Sequence, residues 1–170
     1  VNGNIGNDWV YGGAGNDTLI GGQGHDEVFG EEGDDDIRGD LGDDNLYGGT
    51  GRDYIFGGPG FDVLDGGAGA DTLDGGTWDD TLYGGFGADD FVIFSNSAYD
   101  EITDFIFEDA DRVVMERNIN GSGIFDFSDL MARAYDAFGG GTGFDLGNGN
   151  TLVIRNQYPE EFRPQDFVFI

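Results

Sequence analysis

An apolar residue recurs at every ninth position through the first half of the chain. Side chains alternate between the two faces of a strand, so this residue faces inward and its two neighbours face outward. The pattern therefore predicts one strand of three residues in each nine-residue unit, with the apolar residue at position 8 of the unit. The inward residues are Val10, Leu19, Val28, Ile37, Leu46, Ile55, Leu64, Leu73, Leu82 and Phe91.

Glycine and aspartate hold fixed positions in the same unit, which repeats ten times from Gly3 to Val92 without insertion or deletion. Position 1 is always Gly, and position 4 is Gly in nine units, with Trp78 as the exception. Glycine permits positive φ and close backbone approach, so positions 1 to 4 predict a tight turn that directs carbonyl oxygens inward. Position 6 is Asp in every unit: Asp8, Asp17, Asp26, Asp35, Asp44, Asp53, Asp62, Asp71, Asp80 and Asp89.

Two units close one coil of 18 residues, so odd and even units build two facing parallel sheets. The Asp residues of the odd units line one edge, and those of the even units line the other. The sequence thus predicts an all-β fold, with a parallel β-roll over residues 1–92 and a mixed cap with one helix over residues 93–170. Because Val1 and Asn2 fit positions 8 and 9 of a preceding unit, we expect this segment to begin within a longer array.

The charge of the chain indicates a cation partner. It has 35 Asp and Glu against 7 Lys and Arg, and this net charge of −28 disfavours nucleic acid and anionic membranes. Along one edge, carboxylates roughly 4.8 Å apart repel by roughly 3 kcal/mol per pair at an effective dielectric of about 20. About eight such pairs exceed the ~5 to 15 kcal/mol stability of a domain, so the fold should not form without a cation.

The ligand chemistry favours Ca²⁺. The sequence contains no Cys, which excludes disulfides and thiolate metal sites. Carboxylates and backbone carbonyls supply only oxygen, which Ca²⁺ accepts, whereas Mg²⁺ retains its waters and Zn²⁺ prefers nitrogen or sulfur. The nine-residue spacing predicts several calcium ions along the two edges.

The pattern G-G-x-G-x-D-x-U-x resembles the RTX, or haemolysin-type, calcium-binding repeat. The resemblance implies a right-handed roll, with each ion between units n and n+2. The ligands would be both Asp carboxylates and the carbonyls of positions 2 and 4 of the first turn and 1 and 3 of the next, giving up to about eight internal sites. Trp78 replaces Gly at a carbonyl that only an eleventh unit would need, so we expect it to remove no site.

The carbonyl ligands implied by the resemblance are Asn4, Gly6, Gly13, Gly15, Gly21, Gly22, Gln23, Gly24, Gly30, Glu31, Glu32, Gly33, Gly39, Asp40, Leu41, Gly42, Gly48, Gly49, Thr50, Gly51, Gly57, Gly58, Pro59, Gly60, Gly66, Gly67, Ala68, Gly69, Gly75, Thr77, Gly84 and Phe86.

The resemblance also implies a biological setting. The expected role is a calcium-dependent folding and export module at the C-terminus of a larger protein that a Gram-negative bacterium secretes. Its partners would be the type I secretion machinery and an upstream domain, such as a protease, a lipase or a polysaccharide-modifying enzyme. We expect no catalytic residue in this segment, where the only His is His25, at an outward position and with no Cys beside it. No apolar stretch is long enough to suggest a membrane span.

The cap carries several weaker signals. Residues 99–115, with D-E-I-T-D-F and D-R-V-V-M, resemble the element that follows the repeats in serralysin-like proteases. Asp100 and Asp104 are candidates for a terminal metal site, with ordinary loop carboxylates as the alternative. Ser128 is the expected N-cap of a helix with apolar residues from Leu130 to Phe138. A hairpin is expected from residues 144–146 and 151–155, and the last five residues fit either an export signal or a final strand.

A carbohydrate-binding or surface-binding module is the alternative function. Outward positions of the odd units predict a row of exposed aromatic side chains, which could stack on a polysaccharide or dock another domain. Strand propensity or contact with the cap would also account for aromatic residues at these positions. The row consists of Trp9, Tyr11, Phe29, Tyr47 and Tyr83.

Overall fold

The nine-residue pattern folds into strands of six residues, in a computed structural model that describes residues 1–94, 98–117 and 119–170. Each full strand starts at position 7 of one unit and ends at position 3 of the next, so the bend occupies positions 4 to 6. The strands of the repeat are β1 (Asn2–Ile5), β2 (Trp9–Ala14), β3 (Thr18–Gln23), β4 (Glu27–Glu32), β5 (Asp36–Leu41), β6 (Asn45–Thr50), β7 (Tyr54–Pro59), β8 (Val63–Ala68), β9 (Thr72–Thr77), β10 (Thr81–Phe86) and β11 (Asp90–Ile93).

The prediction of three-residue strands with a turn at positions 1 to 4 was therefore wrong. Glycine at positions 1 and 2 continues the ladder between coils, because the repeated backbone hydrogen bonds need no side chain there. At position 2, for example, Gly13 of β2 pairs with Glu31 of β4, and Gly49 of β6 pairs with Gly67 of β8, one coil further on. Only the bend that follows requires the chain to change direction.

The two parallel sheets predicted from the repeat are present. Odd-numbered strands form one sheet, in the order β1-β3-β5-β7-β9-β11, and β2 to β10 form the other. Neighbouring strands pair with an offset of 18 residues, as in Val10 with Val28 and Leu19 with Ile37. All ten position-8 side chains are at most 3% exposed, so the predicted core is confirmed.

The cap extends both sheets of the roll. Its elements are β12 (Tyr99–Ile102), β13 (Arg112–Met115), α1 (Phe127–Met131), β14 (Ala134–Asp136), β15 (Gly141–Gly147), β16 (Asn150–Arg155) and β17 (Phe167–Phe169), with 3₁₀ turns at Phe107–Asp109, Ile119–Gly121, Pro159–Glu161 and Pro164–Asp166. β12 and β13 pair in parallel with β10 and β11, at offsets that place Leu82 opposite Ile102 and Phe91 opposite Val113. The apolar core of the roll thus continues into the cap.

The predicted helix of the cap is shorter than expected. Its N-cap is Asp126, whose side chain accepts a hydrogen bond from Asp129 N–H at 3.0 Å, and the helix ends at Met131. Residues 134–136 form strand β14, which pairs with β15, and Phe138 is fully exposed. The apolar residues that predicted one longer helix therefore belong to two elements, the short helix α1 and the edge strand β14.

The hairpin and the final strand agree with the sequence. β15 and β16 pair in antiparallel fashion around Asn148 and Gly149, and both of these residues have positive φ, which a tight hairpin turn requires. The chain ends in β17, which pairs in parallel with β13 and buries Phe167. The last residues are therefore part of the sheet, and their role in export stays a prediction.

Candidate metal centre

The repeat places its Asp residues in two rows along the edges of the roll. Within each row, the main-chain N–H of one Asp donates to Oδ1 of the Asp one coil further on. Asp26 N–H binds Asp44 Oδ1 at 2.7 Å, and Asp35 N–H binds Asp53 Oδ1 at 2.8 Å. From Asp26 to Asp89, Oδ1 of each repeat Asp thus joins its coil to the preceding one.

The second oxygen of nearly every repeat Asp is buried without a donor. Among the described residues, nine Oδ2 atoms are buried and have no hydrogen-bond partner. A buried carboxylate oxygen without a partner costs stability, and nine of them in two regular rows point to a bound cation. They belong to Asp8, Asp26, Asp35, Asp44, Asp53, Asp62, Asp71, Asp80 and Asp89.

Backbone carbonyls converge on these oxygens. A Cβ built on Gly48, at position 1, would lie 2.5 Å from Asp53 Oδ2 and 2.6 Å from the carbonyl oxygen of Gly66. Asp53 Oδ2 and the carbonyl oxygen of Gly66 on the next coil therefore approach the same point. Both are acceptors, and no hydrogen lies between them. Glycine at position 1 leaves this space open.

A second carbonyl reaches the neighbouring Asp of the row. A Cβ on Gly69, at position 4, would overlap the carbonyl oxygen of Gly51 and would lie 3.1 Å from Asp71 Oδ1. The carbonyls at positions 1 and 4 thus lie beside the two carboxylates of one coil pair. Position-3 carbonyls instead accept the position-4 N–H of the coil before, as Ala68 O does from Gly51 N–H at 2.9 Å. A carbonyl has two lone pairs, so this bond leaves one for a metal.

Burial makes the ionised rows unfavourable without a counter-charge. It raises the pKa of Asp62 and Asp71 to about 7, and that of Asp80 to about 9, while neighbouring carboxylates raise these pKa values further and backbone N–H donors oppose the shift. A group with such a pKa is partly or wholly protonated at neutral pH unless a cation holds it ionised. These three carboxylates therefore either take up protons or bind metal.

The donor set fits calcium. Each pair of successive coils offers two carboxylates and backbone carbonyls, which are all oxygen ligands. Ca²⁺ takes six to eight oxygen ligands in flexible geometry. In the described ranges, no three His, Asp or Glu side chains gather as a metal cluster. The ligand roles of individual residues stay a prediction.

A family comparison decides what the repeat is. The model of the family described as RTX calcium-binding nonapeptide repeat (4 copies) matches residues 2–37, 29–64, 47–77 and 65–92. These ranges together cover more than half of the chain. The chain belongs to this family. Its RTX repeats are calcium-binding β-roll units, which agrees with the orphaned carboxylate oxygens of the two rows.

Solved structures share the fold over both roll and cap. The extracellular lipase LipA from Serratia marcescens superimposes with a TM-score of 0.50 at 18% identity, over 95% of this chain and 40% of the lipase chain. The chain therefore spans well under half the length of that protein, and the likeness concerns the fold alone. No curated protein matches the chain.

No helix in the described part of the chain is long and apolar enough to cross a membrane.

The structure separates Asp100 from Asp104, which were expected to share a terminal site. Asp100 continues the odd row of the RTX repeats, because its Oδ1 accepts Asp80 N–H at 3.2 Å. The carboxylate of Asp104 instead lies in the even part of the roll, where it accepts Gly84 N–H at 2.9 Å and Gly85 N–H at 3.0 Å. A single site formed by both residues is thus not supported.

Asp111 is the residue that the sequence analysis missed. Its Oδ1 accepts Asp89 N–H at 3.1 Å, so it continues the even row after the last RTX unit. The spacing to Asp89 is 22 residues because a loop with a 3₁₀ turn at 107–109 intervenes, and a search for a nine-residue period cannot find it. The D-R-V-V-M segment, with Asp before an apolar strand, was the available signal.

Trp78 stands in a conformation suited to glycine, with φ of 89°. It lies at the coil that Asp100 extends, so a further coil does follow it, and the expectation that Trp78 removes no site stays a prediction. The Trp78 carbonyl accepts Ala98 N–H at 3.2 Å, and the indole packs edge-on against Phe61 at 5.3 Å. The bond from Ala98 takes one lone pair of the position-4 carbonyl, which the resemblance to RTX repeats implies as a metal ligand.

The aromatic row is present, but its faces are covered. Phe29 stacks on Tyr11 at 5.0 Å and on Tyr47 at 4.9 Å, with interplanar angles of 9° and 5°. A sugar ring stacks on an exposed aromatic face, and Phe29, the inner ring of this ladder, has a stacked ring on each face. Trp9 is 67% exposed at one end, and Asp65 separates Tyr83 from the ladder. This geometry does not favour a polysaccharide site along the row.

Proposed function

We propose that this chain is a calcium-driven folding module of an exported protein. The observation that carries the proposal is the double row of buried Oδ2 atoms, nine of which have no hydrogen-bond partner among the described residues. The unfolded chain presents no comparable site, so the free energy of metal binding adds to the stability of the folded chain. Calcium thereby shifts the equilibrium from the unfolded to the folded chain.

The proposal includes export of the chain from the cytosol and folding outside the cell. Weak multiple calcium sites of extracellular modules bind at about 10⁻⁴ to 10⁻³ M, well above cytosolic calcium. The chain would stay unfolded in the cytosol of a Gram-negative bacterium, pass through type I secretion machinery and fold outside. Membership of the RTX family and the fold shared with an extracellular lipase support this reading.

An upstream domain of the same protein remains part of the proposal. The roll and cap match only 40% of the lipase chain, which leaves room in such a protein for a separate domain. The lipase activity belongs to that protein, and the present chain is proposed only as its structural counterpart.

A calcium titration followed by circular dichroism tests the folding role, with Mg²⁺ as the control cation. We expect a cooperative gain of β-structure with Ca²⁺ alone, at a midpoint of about 10⁻⁴ to 10⁻³ M. A chain already folded in EGTA at about pH 8, where acid does not replace the cation, would refute the proposal.

Two adjacent Asp residues provide a matched pair of variants. Asp35 is 3% exposed and has the orphaned Oδ2, whereas Asp36 is exposed and points to solvent. Asp35→Asn should raise the calcium midpoint several-fold, and Asp36→Asn, with the same change of charge, should leave it nearly unchanged. Equal shifts in both would mean that general charge, and not the row, sets the response.

The export role has its own test. When the chain is expressed with a type I exporter, we expect it in the medium, and without the exporter we expect it inside the cell. Retention in both strains would remove export from the proposal and leave the calcium response untouched.

A further inference from the structure

Trp78 lies at a bend position where the other nine RTX units have glycine. Its φ of 89° is a strained conformation for a bulky side chain. The bond between coils is also longer beside it, since Gly60 N–H reaches the Thr77 carbonyl at 3.3 Å, whereas Gly69 N–H reaches that of Phe86 at 2.8 Å. Strained residues of this kind concentrate at functional sites, so the indole needs a role that offsets its cost.

The indole does not obtain this role from the apolar core. Trp78 is 55% exposed, and Phe61 on the preceding coil of the same edge is 52% exposed. Their ring centroids lie 5.3 Å apart, and their planes meet at 62°. The two rings therefore form an open aromatic corner on the surface, unlike the nearly parallel stack of Tyr11, Phe29 and Tyr47.

Two exposed carboxylates flank the aromatic corner. Asp43 Oδ1 accepts the N–H of Phe61 at 3.0 Å. Asp79 follows Trp78 directly, and its Oδ1 accepts the N–H of Tyr99 at 3.0 Å. Each bond fixes one oxygen of a carboxylate beside an aromatic ring, and both Asp residues are in contact with solvent.

The surrounding charge favours a cation at this corner. The net charge of the chain is −28. The basic groups nearby already face acidic partners: His25 Nδ1 lies 3.6 Å from Asp43 Oδ2, and Arg155 donates to Glu101. A positive ligand is therefore attracted here, and an anionic ligand is repelled.

The aromatic corner and the Asp rows suit different cations. Ca²⁺ is a hard ion that takes oxygen ligands, as the buried rows provide. A quaternary ammonium group has no N–H to donate, and the faces of Trp and Phe rings attract it through their quadrupole. Exposed rings beside carboxylates thus match an organic cation better than a metal ion.

We propose that the aromatic corner of Trp78 and Phe61, flanked by Asp43 and Asp79, binds a quaternary ammonium group such as that of choline. The ring faces would contact its methyl groups, and the carboxylates would add the attraction between opposite charges. This site lies outside the buried Oδ2 rows and gives the chain a second kind of ligand, beyond its proposed function.

The test compares choline with neohexyl alcohol, its neutral isostere, in which carbon replaces nitrogen. Saturation-transfer NMR measures the affinity of each ligand for the full chain at saturating calcium. We expect choline to bind at least about threefold more tightly, because only the charged ligand gains the cation–π attraction. Equal affinities would reduce the corner to an apolar patch, and absence of choline binding would likewise overturn the site.

Substitutions locate the bound choline. Trp78→Gly restores the residue of the other units, so it should fold and should bind choline at least about threefold more weakly. Trp9→Ala removes the other exposed indole and should leave the affinity unchanged. Asp79→Asn should weaken binding about twofold, and Asp36→Asn, with the same loss of charge, should not. Binding that depends on Trp9 and not on Trp78, or that further calcium displaces, would place the choline elsewhere and overturn the proposal.

Phosphatidylcholine vesicles distinguish a lipid headgroup from the free cation. We expect the chain not to sediment with these vesicles, because the phosphate of each headgroup repels the carboxylates. Sedimentation that Trp78→Gly abolishes would support the same site with the headgroup as its ligand. The comparison of choline with neohexyl alcohol uses the wild-type chain alone, so it decides the proposal even if a variant fails to fold.

Discussion

Each repeat Asp uses its two carboxylate oxygens for different purposes. Oδ1 accepts a backbone N–H of the preceding coil, as Asp62 Oδ1 does from Asp44 N–H at 2.8 Å, and would keep that role with or without metal. Oδ2 has no such partner and needs a cation. Asparagine can replace the first function but not the second, which accounts for Asp at position 6 of all ten units.

Glycine at position 4 is required by the close approach of the preceding coil as well as by its own backbone. Gly15 and Gly42 both have positive φ, but a Cβ on Gly42 would overlap the carbonyl oxygen of Gly24, whereas a Cβ on Gly15 meets nothing within 4 Å. We expect Gly15→Ala to cost about 1 to 2 kcal/mol from backbone strain. Gly42→Ala should cost about 1 to 3 kcal/mol more because it also overpacks the coil contact.

Urea unfolding at saturating calcium measures both glycine variants. Equal losses would show that backbone strain alone, and not the approach of coils, sets the glycine at this position.

Acid should stabilise the calcium-free roll. The pKa values of Asp62 and Asp71, about 7, and of Asp80, about 9, are raised above the ordinary 3.8 by burial. Raised pKa values mean that the folded chain binds protons more tightly. Their contribution to stability is fully present below about pH 4 and is lost as pH rises through about 7 to 9. In EGTA, circular dichroism should therefore show more β-structure at about pH 5 than at about pH 8.

Salt provides the control for this pH effect. Sodium chloride at about 1 M screens exposed charges but leaves buried carboxylates desolvated, so it should not reproduce the effect of acid. A calcium-free chain that is equally unfolded at both pH values would contradict the prediction.

At the residue scale, the sequence predicted the rows but not where they end. Periodicity suffices for Asp8 to Asp89, since every unit repeats the same local chemistry. Asp111 lies beyond a loop of non-repeating length, and only strand pairing reveals that it joins the row. Asp104 was noticed in sequence, but its contact with Gly84 depends on the register between β10 and β12.

At the scale of elements, the roll was easier to predict than the cap. One inward residue per unit fixes the sheets, although the strands run to six residues because backbone bonds between coils continue through the glycines. The cap has no repeat, so a segment whose local pattern fits both helix and strand is not resolved by comparison with other units. Tyr135 follows helical spacing after Leu130, yet it lies in β14, because pairing with β15 outweighs local helix preference.

An ion pair should stabilise the sheet of the cap. Arg155 on β16 donates to Glu101 on β12 at 2.5 Å and to the Phe138 carbonyl at 2.7 Å, and its side chain is only 21% exposed. The bond lowers the pKa of Glu101. Arg155→Met should cost about 1.5 to 3 kcal/mol, as expected for a hydrogen-bonded charge, and adding Glu101→Gln should cost little more.

The matched control for the ion pair is Arg38→Met. The side chain of Arg38 is 49% exposed, so its loss should stay within about 1 kcal/mol. Calcium-saturated urea unfolding compares the three variants. Similar losses for Arg155→Met and Arg38→Met would show that the pair in the cap contributes no more than a surface charge.

At the scale of the molecule, roll and cap form one continuous stack. Each coil contacts mainly the next one, and the same core column runs from Val10 through Leu82 to Ile102 and Ile154. In such an array, stability is the sum of coil terms and of the interfaces between neighbours. Calcium adds to the interfaces, so binding and folding should spread cooperatively along the stack.

Removal of the cap should leave the last strands of the roll with unpaired edges and an exposed apolar core. In residues 1–94 alone, β10 loses its partner β12 and β11 loses its partner β13. Leu82 and Phe91, which are fully buried in the whole chain, then become exposed. Unpaired strand edges favour association between chains. We expect this fragment to need more calcium to fold and to form dimers or larger species in analytical ultracentrifugation, whereas the whole chain at the same calcium concentration stays smaller. A monomeric fragment with an unchanged calcium midpoint would mean that the last coil is stable uncovered, and that the cap serves a purpose other than closing the stack.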